Sequence, residues 1–359
     1  MEHFATVPEQ PEAKRLLGAA LAEGPAHAYL LHGPRGVGKT TAARAFASAL
    51  LGGDPRAARE RPTHPDLYLL EPLGEMIRID DIRELRHDLH MRPFEADRRV
   101  YVLLDAHLLN EDAADALLKD LEEPPGYAVI VLVADELGSL PETIRSRCQL
   151  VPFRRLSDGA VRDWLVAEAP ALDDTTRATV ARSSGGRLDR ARRLLDPDAA
   201  ERRARLVEAG RSVYLDPDFE PSAAARVIGE AMAAAGEAAK ILEQDEVERR
   251  ELTGRDAEQR VRRAQRGAER EELLASLEGL AVWYRDLLVV AAGADDAAVH
   301  ADRLDDLRAD VGVGAGAHAD EAVELAQRVW REAEEFNVNA SLALESLFVS
   351  LRRALLPAR

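Results

Sequence analysis

The run Gly33-Pro34-Arg35-Gly36-Val37-Gly38-Lys39-Thr40 fills every fixed place of the phosphate-binding loop G-x-x-x-x-G-K-[ST]. The chemistry of such a loop is anion capture. Its glycines let the backbone bend tightly and turn N–H groups inward, and the helix that follows adds the positive end of its dipole. Lys39 is expected to reach the β- and γ-phosphates. Thr40 is expected to offer its hydroxyl to Mg²⁺, with Thr41 beside it as a helper. The expected cofactors are ATP or ADP, together with Mg²⁺.

A carboxylate must complete the metal side. Val100-Tyr101-Val102-Leu103-Leu104-Asp105 reads as an apolar strand ending in an acid, so Asp105 is the expected Mg²⁺-side residue. In many ATPases of this class a Glu follows that Asp and polarises the attacking water, but here the next residue is Ala106. Neither His107 nor Glu111 sits where the strand end would aim it at a γ-phosphate. Nucleotide binding with weak or absent turnover is the expectation.

These groups need a scaffold, and the hydrophobic pattern supplies one. Over residues 1–155, strand-type apolar runs alternate with amphipathic stretches, the pattern of a parallel sheet flanked by helices. Ala28–His32, Asp66–Leu70, Val100–Asp105, Ala128–Ala134 and Gln149–Phe153 are the expected strands. Ala28–His32 runs straight into the glycine loop, and Thr41–Ala47 reads as the helix after it, which is the required order. Residues 156–197 read as a small helical lid, with Ser157-Asp158 as a helix start and Gly185-Gly186 as an interruption. Residues 198–359 are helical almost throughout, so a third, all-helical domain is expected there. Its most charged part, Glu237 to Glu272, contains Arg260, Arg262 and Arg263 among many Glu residues. It reads as a solvated, ion-paired helix in preference to a nucleic-acid arm.

Composition narrows the function. A length of 359 residues fits two or three domains, each with its own core. A net charge of -17 opposes coating of nucleic acid by bulk attraction, so any DNA contact is expected to be local. The single cysteine, Cys148, excludes an intramolecular disulfide and any zinc site built from several cysteines; no zinc is expected. With no apolar run of membrane-spanning length and no leader pattern, a cytoplasmic protein is expected.

Two further motifs are more specific. The run from Asn110 to Pro125, containing Leu117-Leu118-Lys119-Asp120-Leu121-Glu122-Glu123-Pro124-Pro125, resembles a signature of bacterial DNA polymerase III clamp-loader subunits. Leu140–Cys148 resembles the same family's Ser-Arg-Cys motif, and His27-Ala28-Tyr29-Leu30 stands where that family has its first strand. The likeness spans residues 1–195 and continues faintly at Asn337-Val338-Asn339. It implies an α/β RecA-like AAA+ module with a helical lid, followed by an all-α collar domain. It also implies a hetero-pentameric ring with tau/gamma and delta subunits that loads a sliding clamp onto primed DNA, which this chain is expected to touch mostly indirectly. No membrane partner is implied.

By the same resemblance Arg147 corresponds to an arginine finger given in trans to a neighbour's nucleotide. Arg187 or Arg190 stands where a sensing Arg of the lid approaches the nucleotide. Departures from the family pattern separate the kinds of subunit. Ala106 replaces the Glu of a motor subunit, and Ala134-Asp135 replaces the usual sensing Thr or Asn after the strand Ala128–Ala134. Both point to a non-motor subunit. The alternatives are an ATP-hydrolysing motor of the tau/gamma kind, and a ring spacer with a vestigial loop.

Overall fold

The computed structural model describes residues 2–59, 62–72, 76–135, 137–138, 140–195, 197–249, 254–336 and 338–356. Asn337 lies outside the described residues. The chain divides into two compact units, residues 1–172 with 185–190, and residues 173–184 with 191–359.

In the first unit the order is α1 (Pro11–Glu23), β1 (Ala28–His32), α2 (Lys39–Leu50), α3 (Pro55–Ala58), β2 (Leu67–Leu70), α4 (Ile79–Leu89), β3 (Arg99–Leu103), α5 (Glu111–Glu122), β4 (Ala128–Ala134), α6 (Glu142–Arg145), β5 (Gln149–Pro152) and α7 (Asp158–Glu168). The five strands form one parallel sheet in the order β2-β3-β4-β1-β5. Both faces are covered, and the period of two in the strand sequences decides which side chain goes where. Tyr29, Leu31, Val100, Val102, Val129, Val131 and Val133 face Leu17 of α1 and Ala42, Ala43 and Phe46 of α2. Leu30, Tyr101, Leu103, Ile130 and Leu132 face Ile82, Leu85 and Leu89 of α4 and Leu117 and Leu121 of α5. Each of these larger side chains stabilises the unit by roughly 1.5–3 kcal/mol on burial.

The third strand stops sooner than its apolar run. The Leu104 N–H still donates to the Leu70 carbonyl at 3.0 Å, but the chain then enters a tight turn, because Asp105 takes a left-handed backbone (φ 48°) and its carbonyl accepts the Leu108 N–H at 2.8 Å. The loop 90–98 is pinned from within. Asp66, wholly buried, accepts the backbone N–H groups of Phe94, Glu95 and Ala96 at 2.6, 2.7 and 2.8 Å.

Next come α8 (Asp174–Ser183), α9 (Leu188–Leu195), α10 (Pro197–Leu215), α11 (Pro221–Arg249), α12 (Gly254–Ala291), α13 (Leu304–Gly312), α14 (Ala319–Glu335) and α15 (Ala340–Leu355). The second unit is helical. Its core gathers Val213, Leu280, Trp283, Tyr284, Leu287, Phe348 and Leu351, drawn from α10, α12 and α15. A buried polar knot ties α10 to α13: Asp310 accepts from Arg211 Nε at 2.9 Å and from the Tyr214 hydroxyl at 2.7 Å, and that hydroxyl accepts from Trp283 Nε1 at 3.1 Å. The charged helices are ion-paired, with Arg260 on Glu243, Lys240 on Glu237 at 2.9 Å and Arg262 on Glu258 at 3.5 Å. Asn339 caps α15 by accepting the Leu342 N–H at 3.2 Å.

Candidate nucleotide-binding site

The register of the sheet assembles the site. His32 pairs with Ala134, and Leu103 pairs with Leu132, so the chain leaves β1, β3 and β4 at one edge. That carboxyl edge is where open α/β sheets place their ligands. From it rise the glycine loop after β1, Asp105 after β3 and Asp135 after β4.

Two glycines of the loop have left-handed conformations and close surroundings that strain any other residue. Gly33 has φ 141°, and a Cβ there would fall 2.2 Å from the Phe153 carbonyl oxygen. Gly36 has φ 72°, and a Cβ there would fall 1.8 Å from Asp189 Oδ1. Gly38, also left-handed, is the N-cap of α2, so the helix begins at Lys39. Of the remaining loop residues, Val37 is buried, Pro34 and Thr40 are half-buried, and Arg35 and Thr41 are exposed. The donor set of a phosphate site is present: a glycine loop at a helix N-terminus, a lysine, a hydroxyl at the next position and a carboxylate across the edge. These residues fit a nucleotide with its Mg²⁺.

Lys39 is almost wholly buried and already engaged. Its Nζ donates to the Gly33 carbonyl at 2.7 Å, the Pro34 carbonyl at 2.7 Å and Asp135 Oδ1 at 2.8 Å. Burial pulls the ammonium below its ordinary pKa, and the Asp135 carboxylate works against that shift. Asp105 shows the opposite balance. Burial first, and the Asp135 charge after it, push its carboxyl up, while His107, Arg35 and Lys39 pull it back. His107 joins this group through the short 3-10 turn Ala106–Leu108. Its Nδ1 lies 3.4 Å from the Asp135 backbone N and its Nε2 4.0 Å from Asp135 Oδ2. Ligand atoms of Asp105, His107 and Asp135 lie within 4.8 Å of one another, a spacing that would suit a cation. The sequence reading set His107 aside only as a base aimed at a γ-phosphate; the turn after Asp105 places it beside Asp135. Ala106 is wholly buried.

The start of α9 closes over the loop. The Leu188 N–H donates to the Gly36 carbonyl at 2.7 Å, and Arg187 grips Asp189 through Nη2 at 2.8 Å. Arg35 stands 3.8 Å from the same carboxylate. Burial alone would raise the Asp189 carboxyl, but the Arg187 hydrogen bond and charge outweigh it and hold it low. Arg187 is thus beside the phosphate loop, bound to Asp189, and Arg190 follows one helical turn on. Arg147 lies outside this group. It sits just after α6, donates to the Thr143 carbonyl at 2.8 Å and pairs with Glu122 of α5.

Sequence reasoning named Asp135 only as a departure at the sensing position, not as a partner of Lys39, and it missed Asp189. Asp135 carried a signal, since it falls directly after a long apolar strand whose end meets the loop. Asp189 carried none beyond its nearness to Gly186-Arg187.

A five-stranded parallel sheet in this order, with a phosphate loop after its first strand and an acid after its third, defines a P-loop module of the RecA-like AAA+ class. Residues 9–157 match the family described as DNA polymerase III, delta subunit. Among curated proteins, the chain is 35% identical over 196 residues to DNA polymerase III subunit delta' of Pseudomonas aeruginosa, covering 51% of this chain and 60% of that protein. It is 31% identical over 200 residues to subunit tau of Bacillus subtilis, covering 51% of this chain and 35% of that protein. The match thus spans 60% or less of these relatives' own lengths. A DNA polymerase III gamma subunit-related protein of Thermotoga maritima aligns with a TM-score of 0.45 at 19% identity, over 96% of this chain and 99% of that one. Over its matched part the chain is similar to DNA polymerase III subunits of both the delta' and the tau kind.

Among the described residues no helix is long and apolar enough to cross a membrane.

Proposed function

We propose that this chain is a delta-prime subunit of a DNA polymerase III clamp loader: a nucleotide-binding, non-motor member of the ring. The observation that carries this reading is the buried Ala106 directly after Asp105, in a loop otherwise complete through Lys39 and Thr40. A phosphate loop without the acid that polarises water holds nucleotide but turns it over poorly. The residues that would hold ATP or ADP are Gly33, Pro34, Arg35, Gly36, Val37, Gly38, Lys39, Thr40 and Thr41, with Arg187 beside them. Thr40 and Asp105 would hold Mg²⁺, which would neutralise charge on the phosphates.

Arg147 is the residue that acts on a neighbour. A guanidinium given in trans neutralises charge developing at a terminal phosphate, and its plane suits two phosphate oxygens at once. The partners are tau/gamma and delta subunits in a hetero-pentameric ring, the sliding clamp and primed DNA, touched mostly indirectly. The three-part division at residues 155 and 197, with the last part as the ring-joining collar, belongs to the same proposal.

The match to a tau subunit favours a second reading, a motor that hydrolyses its own ATP. Reconstituted rings separate the two. With partner subunits, clamp and primed DNA present, the first reading expects Arg147→Ala to lower ATP turnover and Lys39→Ala to leave it nearly intact. Steady-state hydrolysis by the purified single chain, abolished by Lys39→Ala, would establish the motor instead.

A further inference from the structure

We infer that Asp135 sets the length of phosphate chain this loop accepts, favouring a nucleoside diphosphate over a triphosphate; the inference rests on the nucleotide-binding reading above. An ammonium has three protons to give. Lys39 has given all three, to two loop carbonyls and to Asp135 Oδ1, at 2.7, 2.7 and 2.8 Å. It does so while only 5% exposed, so water does not stand in for a missing partner. A phosphate that wants Lys39 must take one of those protons from an existing acceptor.

The two phosphates of a diphosphate and the third of a triphosphate meet different surroundings. A β-phosphate is held chiefly by backbone N–H groups of the glycine loop and by the end of α2, with Lys39 as one contact among several. A γ-phosphate depends on Lys39 and adds charge at the sheet edge. There it meets the Asp135 carboxylate on Lys39, whereas the Asp105 carboxylate would be matched by Mg²⁺. Like charges set side by side in a partly buried site repel one another unless a cation lies between them. An uncharged side chain at position 135 would hold the Lys39 proton less strongly than a carboxylate does and would remove its repelling charge. Asp135 therefore acts against the third phosphate far more than against the first two.

The test is calorimetric titration of the full chain in Mg²⁺ with ADP and with the β,γ-imido analogue of ATP, comparing wild type with Asp135→Asn. Asp135→Thr serves as a second uncharged variant, and thermal melts confirm that each protein is folded. The wild type is expected to bind ADP about tenfold or more tightly than the analogue, and Asp135→Asn to tighten the analogue by about tenfold while moving ADP by less than about threefold. Equal affinities in the wild type, or a wild-type preference that both variants retain, would overturn the inference and leave the nucleotide-binding reading standing. Binding of neither nucleotide by any of the three proteins would remove that reading and the inference with it. Binding by the variants alone would show that Asp135 bars both nucleotides, which also overturns a diphosphate preference.

Discussion

Arg147 and Glu122 form an ion pair that joins the two signature motifs of the chain, across 25 residues of sequence. The guanidinium is held at both ends, by the Glu122 carboxylate on one nitrogen and the Thr143 carbonyl, at 2.8 Å, on the other. An arginine fixed in this way presents a preset direction instead of sampling many rotamers.

Removing Glu122 therefore separates stability from reach. Both side chains are partly exposed, so Glu122→Gln is expected to cost the isolated chain less than about 1 kcal/mol, read as a small shift in its denaturant midpoint. In a reconstituted ring the same variant is expected to lower turnover by about tenfold through loss of positioning, without changing ring assembly by sedimentation. Unchanged turnover would leave the pair a surface contact only.

Gly36 offers a sharper structural test, because two causes act at one atom. Gly36→Ala meets a left-handed φ of 72° and a carboxylate oxygen 1.8 Å from the new methyl group. The expected loss is about 1–3 kcal/mol from backbone strain, plus displacement of Asp189. In the double variant Gly36→Ala, Asp189→Ala the clash is gone and the strain remains. Urea denaturation should show the second change partly offsetting the first, and simple additivity of the two losses would show that Asp189 moves aside at no cost.

The local features of the fold were legible in the sequence, and the long-range ones were not. The glycine loop, the strand Ala28–His32 and the strand Ala128–Ala134 follow from spacing and alternation within a few residues, and the structure has both strands at those bounds. The run Val100–Asp105 misled by two residues at its end, since apolar Leu104 fits a strand as well as a turn and only the backbone of Asp105 decides. The hold of Asp135 on Lys39 spans 96 residues. No local pattern encodes such a contact; it follows from strand order, which brings the ends of β1 and β4 together. Asp189 reaches Gly36 by a similar long return of the chain.

The helical unit carries a prediction of its own. Asp310 is 2% exposed and accepts from Arg211 and Tyr214, so Asp310→Ala leaves a largely buried guanidinium with a lost partner. Arg211 keeps Glu208 and Asp306, each 3.3 Å from its Nη1, so the expected loss is that of buried hydrogen bonds, about 1–3 kcal/mol. Urea denaturation followed by tryptophan fluorescence should show this loss, because Trp283 donates to the Tyr214 hydroxyl within the same knot. A loss below about 1 kcal/mol would mean that water replaces the carboxylate there.

Asp66 should govern part of the acid limb of stability. Burial alone would raise its pKa, but the backbone N–H groups of Phe94, Ala96 and Glu95 together outweigh burial and hold the folded value below the ordinary carboxylate range. A group depressed in the folded state contributes stability that is fully present above its unfolded pKa, about 3.9, and is lost as pH falls through the folded value. Asp66→Asn keeps the shape but accepts three N–H groups with one neutral oxygen, so a loss of about 1–3 kcal/mol is expected at pH 7. Below pH 3.9 the wild type gives up this contribution while the variant has none to lose, so the difference between the two proteins should shrink there. Chemical denaturation at pH 7, 5, 4 and 3 measures it, and a gap that stays constant down to pH 3 would mean that the three N–H groups do not favour the ionised form.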